Sequence, residues 1–423
     1  MYKKMQTSNG LNVIGSNMPG MTSVSLGVWI GVGGRYELSD ESGISHLIEH
    51  MLFKGTHARS TKKLKESIEG VGGSFNGFTS DEVTCYMVKV PAKYVKLGID
   101  VLADMVIDPR LDETDLVKEK FVVSEEIKMY RDQPADHVVD LLAGIMWPGN
   151  ALGRPLAGTI TKVNKMKKND LVAFRDEFYH PGNMSVIVAG KVNFESISKY
   201  ACEKFKHLKK RRKKRFDSPK IKQVKPILKA QYRDINQTHV SMGFHAMAKN
   251  KKEAFAMKLM NVVLGGNMSS RLFENLREHN GLCYDISSSY KKHSDVGEMH
   301  IHAGVDTTNV FKSIDAILYE LKVLKDSPVE KDELERAKNY IKGQFLLAIE
   351  ATSSRMLWLG DRHMVHKRIP DVKNILKDID SISSKDILNV SRKVLNSKSL
   401  NLAMIGKLKS KDKNLIYKEI NRL

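Results

Sequence analysis

TSVSLGV, residues 22 to 28, returns later in the chain as THVSMGF, residues 238 to 244. Both stretches alternate in the two-residue period of a strand with one buried face. NMSVIVAGKV, ending at Val192, is matched by LNLAMIGKL, ending at Leu408. Both pairs share one offset of 216 residues (238 − 22 and 408 − 192), as a duplicated domain requires. A third pair, Pro109-x6-Leu116 and Pro328-x5-Leu334, is offset by slightly more. Each half opens on an alternating strand, passes through helical patterns and closes on another strand. The expected fold class is α+β, with two homologous domains that each pack helices on a mainly antiparallel sheet.

Between the halves runs KFKHLKKRRKKRFDSPKIKQVK, residues 204 to 225, with twelve Lys or Arg against one Asp. It holds Pro219, follows no steady period and has no aromatics interleaved in its KKRRKKR run for base stacking. It reads as a solvated basic linker, not as a specific nucleic-acid arm. The expected organisation is a first domain over 1–208, a linker over 209–228 and a second domain over 229–423. This segment carries over half of the net charge of +20; the 41% apolar and 28% charged composition is that of a globular chain. Residues 5–34 lack charge, but Asn9, Gly10, Asn12, Gly15, Asn17, Pro19 and Gly20 interrupt any apolar helix. Val24 to Val32 reads as a buried strand, and no membrane insertion or export is expected. Cys85, Cys202 and Cys283 are too few and too scattered for a disulfide framework. A bacterial cytoplasm is the expected compartment, with the mitochondrial matrix as the alternative.

The chemistry concentrates in SGISHLIEHMLFKGT, residues 42 to 56. At about 100° per residue, Ile44, Leu47, Ile48, Met51 and Leu52 share one apolar sector. His46 and His50 then project together from the other side, one turn apart, with Glu49 on their flank. Ser42 is the expected N-cap and Gly55 the stop. Two neutral imidazoles can share one small ion, and a glutamate directly before the second His is the inverted zinc-peptidase pattern. The second half has no such motif. A third ligand has to come from elsewhere, and VKEKFVVSEEIKMYRD (117–132) offers Glu119, Glu125 and Glu126. It reads as a helix buried through Leu116, Phe121, Val123, Ile127 and Tyr130. Glu119 and Glu126 lie two turns apart on one face, with Glu125 about 100° away. Periodicity leaves all three acids open.

The runs from Gly43 to Thr56, GGSFNGFTSDEVTCY (72–86) and KEKFVVSEEIKMYRD (118–132) resemble the pitrilysin/insulinase family of zinc peptidases. So do FYHPGNMSVIVAGKV (178–192) and GGNMSSRLFENLREHNGLCY (265–284), and the likeness covers essentially the entire chain. It is strongest to the half-length branch that includes mitochondrial processing peptidase and its bacterial relatives. The resemblance implies one Zn2+ per chain on His46, His50 and Glu126, with Glu49 as general base and Glu119 supporting the site. It implies an extended peptide added to the edge of the first sheet beside Asn76. Gly77 stands where relatives usually carry Ala. Arg277 and Tyr284 would donate hydrogen bonds near the carbonyl under attack, acting across a homodimer. Asp136 and Asp140 would receive an arginine preceding the cleavage site. Without the resemblance, Asn76 reads as a turn residue, Tyr284 as a core aromatic, Arg277 as a helix-face charge and the two acids as solvated. The expected activity is zinc-dependent endopeptidase action on unstructured or presequence-like peptides. The alternative is a catalytically silent scaffold subunit, which would typically have lost motif residues.

Overall fold

The computed structural model describes residues 2–246 and 250–423. Strands β1 (Lys3–Gln6), β2 (Asn12–Asn17), β3 (Ser23–Ile30), β4 (Ser74–Thr79), β5 (Thr84–Pro91) and β6 (Met184–Gly190) form one sheet, ordered β1-β2-β6-β3-β5-β4. Strands β7 (Ile227–Tyr232), β8 (Gln237–His245), β9 (Cys283–Lys292), β10 (Gly297–Asp306) and β11 (Leu400–Gly406) form another, ordered β7-β11-β8-β10-β9. One pair in each is parallel, β2 with β6 and β7 with β11; the other pairs are antiparallel. Strand for strand, β2, β6, β3, β5 and β4 correspond to β7, β11, β8, β10 and β9. The duplication and the α+β class are thus visible in the topology.

The helices are α1 (Ile44–Leu52), α2 (Thr61–Glu69), α3 (Val95–Ile107), α4 (Glu113–Asp132), α5 (Pro134–Met146), α6 (Ile160–Lys165), α7 (Lys168–Phe178) and α8 (Phe194–Phe205). After the basic segment come α9 (Lys251–Gly265), α10 (Val310–Asp326), α11 (Lys331–Ala348), α12 (Thr352–Met364), α13 (Val372–Asp380), α14 (Ser384–Val394) and α15 (Ser410–Ile420). The chain folds into two compact units that interleave in sequence instead of dividing at 208 and 229. Unit 1 comprises Met1–Lys128, Arg154–Asp217 and Leu346–Asp371; unit 2 comprises Met129–Gly153, Ser218–Phe345 and Val372–Leu423. Each sheet is therefore covered on one face by a helix encoded in the other half.

The reason lies in two-sided burial. In β3, Val24, Leu26, Val28 and Ile30 enter the main core of unit 1, while Trp29 turns to the opposite face. There α12 supplies Met356 and Leu359. Trp29 Nε1 donates to Met356 Sδ at 3.4 Å, and the Ser25 and Thr352 hydroxyls lie 2.9 Å apart. Gly360 makes the approach possible, because a Cβ there would overlap the Trp29 indole. In unit 2, Val240, Met242 and Phe244 of β8 face its main core. On the reverse face, α5 places Val138, Leu142 and Met146 beside Ala403 and Ile405 of β11. Gly243 of β8 leaves room there for the Leu142 and Met146 side chains.

No helix or strand forms between Phe205 and Ile227. The basic side chains from Arg211 to Arg215 are exposed, as a solvated linker requires, but the backbone is anchored to unit 1. Arg211 N–H donates to His180 Nδ1 at 3.2 Å, Lys214 pairs with Glu177, and the Phe216 ring packs edge-on to Tyr36 beneath the Arg35 guanidinium. The three cysteines are free. Among the described residues no helix is long and apolar enough to cross a membrane.

Candidate metal centre

In α1, Ile44, Leu47, Ile48, Met51 and Leu52 are all buried, which turns His46 and His50 the other way. The start of the helix differs from expectation. Gly43, not Ser42, holds the N-cap position, at φ +98° and without a side-chain cap. A side chain would be strained at that φ, and its Cβ would lie 2.6 Å from the Ala157 carbonyl oxygen. Capping comes instead from Glu37, whose carboxylate accepts the N–H groups of Gly43 (2.8 Å) and Ser45 (2.9 Å). Burial pushes the Glu37 carboxyl up to about 7, outweighing those hydrogen bonds. α1 ends at Leu52 with Phe53 as its C-cap, and Gly55 lies beyond it.

His46 Nε2 lies 3.8 Å, and His50 Nε2 3.6 Å, from the same oxygen, Glu126 Oε2. One ligand atom from each of the three lies within 4.8 Å of the others. Ligands at zinc's usual bond lengths of about 2.1 Å stand roughly 3.4 Å apart in a tetrahedron, and the two His–Glu126 separations exceed this by only a few tenths of an ångström. Burial, with His50 adding, lowers the His46 pKa to about 4, which keeps its imidazole neutral and its lone pair available. At His50 burial acts in the same sense, but the Glu119 hydrogen bond and the nearby glutamates overcome it and raise the pKa.

Of the three candidate acids on α4, Glu125 is exposed and paired to Lys128 at 2.6 Å. Glu119 is buried, and its Oε2 lies 3.1 Å from His50 Nδ1. This contact directs the other ring nitrogen of His50 toward Glu126. Burial alone would raise the Glu119 pKa, but His50 and Lys54 hold it below its ordinary value. Lys54 Nζ sits 2.7 Å from Glu119 Oε1, a partner that no pattern in the sequence singles out. α4 also corrects an expectation. Leu116, Val123 and Ile127 are buried, whereas Phe121 is 68% and Tyr130 42% exposed. Phe121 is two positions from Val123, about 200° around the helix, and points away from the packed stripe.

Glu49 lies between α1 and the edge strand β4, where Thr79 Oγ1 is 3.4 Å from its Oε2. Burial raises its pKa, and Glu126 adds to this against the opposing effects of His50 and Thr79. A Cβ on Gly77 would stand 2.9 Å from Glu49 Oε1 and 3.0 Å from the Phe53 ring, so the missing methyl is space that Glu49 uses. Asn76 is exposed on β4 and not in the preceding turn, which Gly72 makes at φ +75°. Its Oδ1 accepts the Gly77 N–H at 2.8 Å.

In unit 2, Arg277 belongs to a π-helical stretch, Phe273–His279, a form that recurs at functional sites. Its guanidinium carbon lies 4.7 Å from the Phe273 ring centroid and 5.2 Å from that of Tyr284. Tyr284 is no core aromatic: it is 77% exposed. The register of β9 with β10 passes from Asp285↔Gly304 to Cys283↔Val305, which makes Tyr284 the extra residue of a β-bulge and throws its ring outward. Asp136 is exposed on α5 and Asp140 half-buried. Burial raises the Asp140 pKa, with Asp136 adding and His137 and Arg131 opposing.

Residues 12–160 match the family description "Insulinase (Peptidase family M16)", and residues 165–341 match "Peptidase M16 inactive domain". The chain is 32% identical to the "Uncharacterized zinc protease YmxG" of Bacillus subtilis, over 93% of this chain and 96% of that protein. It is also 32% identical to a protein described in the same words, SCO5738 of Streptomyces coelicolor, over 96% and 90% of the respective chains. A protease from Helicobacter pylori has the same fold, with a TM-score of 0.90 at 20% identity, covering 96% of this chain and 99% of that one. With two matching family models and relatives along nearly its whole length, the chain, which carries this candidate ligand trio, belongs to the insulinase-type M16 peptidase family.

Proposed function

We propose that the protein is a zinc-dependent endopeptidase that hydrolyses extended, unstructured peptides. The observation that carries this reading is the convergence of His46, His50 and Glu126, with Glu49 poised between them and an edge strand. Zinc held there supplies Lewis-acid polarisation of the scissile carbonyl and acidifies the attacking water. Glu49 takes the proton of that water on its carboxylate and returns it to the departing amine nitrogen. Glu119, tied to Lys54, keeps His50 in orientation. The free edge of β4 pairs with the peptide main chain, with Asn76 beside the scissile bond. Arg277 and Tyr284, stacked together and solvent-facing, donate hydrogen bonds to the developing oxyanion of a second copy's substrate in a homodimer. Asp136 and Asp140 receive a basic side chain, as presequence-like peptides provide. The proposed compartment is the bacterial cytoplasm.

A silent scaffold subunit is the other reading, and an intact ligand set with an intact base argues against it. Glu49→Gln separates the two. The variant is expected to bind metal like the wild type while turnover of a fluorogenic peptide falls by roughly 10²–10⁴-fold. A metal-loaded Glu49→Gln protein that cleaves at the wild-type rate would remove Glu49 from the chemistry.

A further inference from the structure

Unit 1 holds a second polar site that the peptidase reading does not use. At the margin of the face covered by α12 lies a cavity of about 390 Å³, and Lys3, Asn17, Asn193, Glu195 and Arg355 contribute to its lining. Arg355 is the unusual member. Its Nε donates to the Ile349 carbonyl at 2.8 Å, and one terminal nitrogen reaches Ser16 Oγ only at 3.5 Å. Among the described residues the structure gives this half-buried guanidinium no carboxylate partner. Most of its five N–H groups therefore remain for whatever enters the cavity.

The neighbouring groups point the same way. Asn17 spends its side-chain oxygen on the Val192 N–H (3.2 Å), and Asn193 spends its own on the Ser196 N–H (3.0 Å). Each is left with an amide NH2, which can only donate. Lys3 stands at the rim, 3.7 Å from Glu195, and both of these side chains are mostly exposed. Donors and positive charge thus prevail, and the one opposing group is Glu195. Tyr2, Val192 and Phe194 add apolar wall, and a cavity of this size with a few convergent donors suits a small polar ligand.

We propose that this cavity binds a small oxyanion, a carboxylate or a phosphate, through a forked contact with Arg355. The site shares no residue with the metal centre, so it stands or falls independently of the peptidase reading. The test is titration calorimetry on the full chain with three probes: inorganic phosphate, N-acetyl-dialanine with a free carboxylate, and its C-terminal amide. At least one anion is expected to bind with saturable one-to-one stoichiometry, and the amide is not. Binding of phosphate alone marks a phosphate ligand, and binding of the free acid alone marks a peptide C-terminus. Arg355→Gln is expected to weaken binding by roughly tenfold to a hundredfold. Glu195→Gln, an exposed change that leaves the fold undisturbed, is expected to tighten it severalfold by removing the opposing charge. Absence of anion binding up to about 10 mM, unaltered affinity in Arg355→Gln, or no gain in Glu195→Gln would each overturn the proposal.

Discussion

The two sheets share a strand order, a single parallel pair and a covering helix encoded in the other half, yet they carry different chemistry. After β3 the chain makes α1, nine residues long, with an apolar face inward and His46, Glu49 and His50 on the other. The long helix between β8 and β9 is α9, fifteen residues, with Met257, Leu259, Met260, Val262, Val263 and Leu264 all buried. One copy keeps a helix flank for His46, Glu49 and His50, the candidate site; the other spends the same place on packing. The covering helices repeat the lesson. Gly27 and Gly243 stand 216 residues apart (243 − 27), and each lies against a methionine of its covering helix, Met356 or Met146. The next outward-facing residue is Trp29 in one sheet and His245 in the other, and His245 meets its indole on the opposing segment, Trp147, at 4.6 Å. The scaffold decides where a site can be placed, and a handful of polar side chains decides whether one is.

That division can be broken experimentally. The sharpest contrast is a unit 2 lesion that spares the metal: Tyr284→Phe is expected to keep full zinc stoichiometry while kcat falls by about 10²-fold, read by metal analysis beside steady-state kinetics. Mixing it with Glu49→Gln should restore part of the activity if the two halves act across a dimer, and no rescue in demonstrated mixed dimers would refute sharing. Next in size, Glu119→Gln is expected to weaken zinc binding by roughly ten- to a hundredfold in a competition titration with a chelator, an effect without a counterpart in unit 2. Gly360→Ala forces a methyl into the Trp29 indole and is expected to cost about 1–3 kcal/mol in urea denaturation without changing the ligand geometry.

The smallest effect at neutral pH belongs to Glu298 of unit 2. Its carboxylate is buried and accepts the Trp147 indole N–H at 2.8 Å. Burial opposes ionisation there, but His293 and His300 hold the pKa far below the ordinary value. The unfolded chain then takes up this proton before the folded one does. Stability is therefore fully present above the ordinary glutamate range and falls as acid carries the pH below about 4.3. Glu298→Gln should remove that part of the acid dependence, which denaturant titrations between neutral and acid pH would show.

Much of unit 1 is legible because its signals are local. The α1 periodicity alone places both imidazoles, and a spacing of seven aligns Glu119 with Glu126. What escapes is set by distance or by tertiary packing. Glu37 caps α1 from six and eight residues upstream, where no helical pattern marks it. Lys54 acquires a role only once α4 brings Glu119 beside it. Phe121 looks buried by composition and is exposed by angle. Tyr284 looks like core and is expelled by a bulge that only strand pairing creates. The exchange of α5 and α12 leaves no local trace, since each helix has an apolar stripe that would serve either sheet.

That exchange bears on how the chain is made. Trp29 emerges early in synthesis, but its cover, Met356, lies 327 residues downstream. Until α12 leaves the ribosome, Ile14, Trp29, Ile187 and Ala189 form a bare apolar strip on a sheet whose strands are already complete. The nascent first half thus presents the kind of apolar surface that chaperones bind, and splitting the gene at the basic segment is expected to yield two fragments that each stay sticky until they meet.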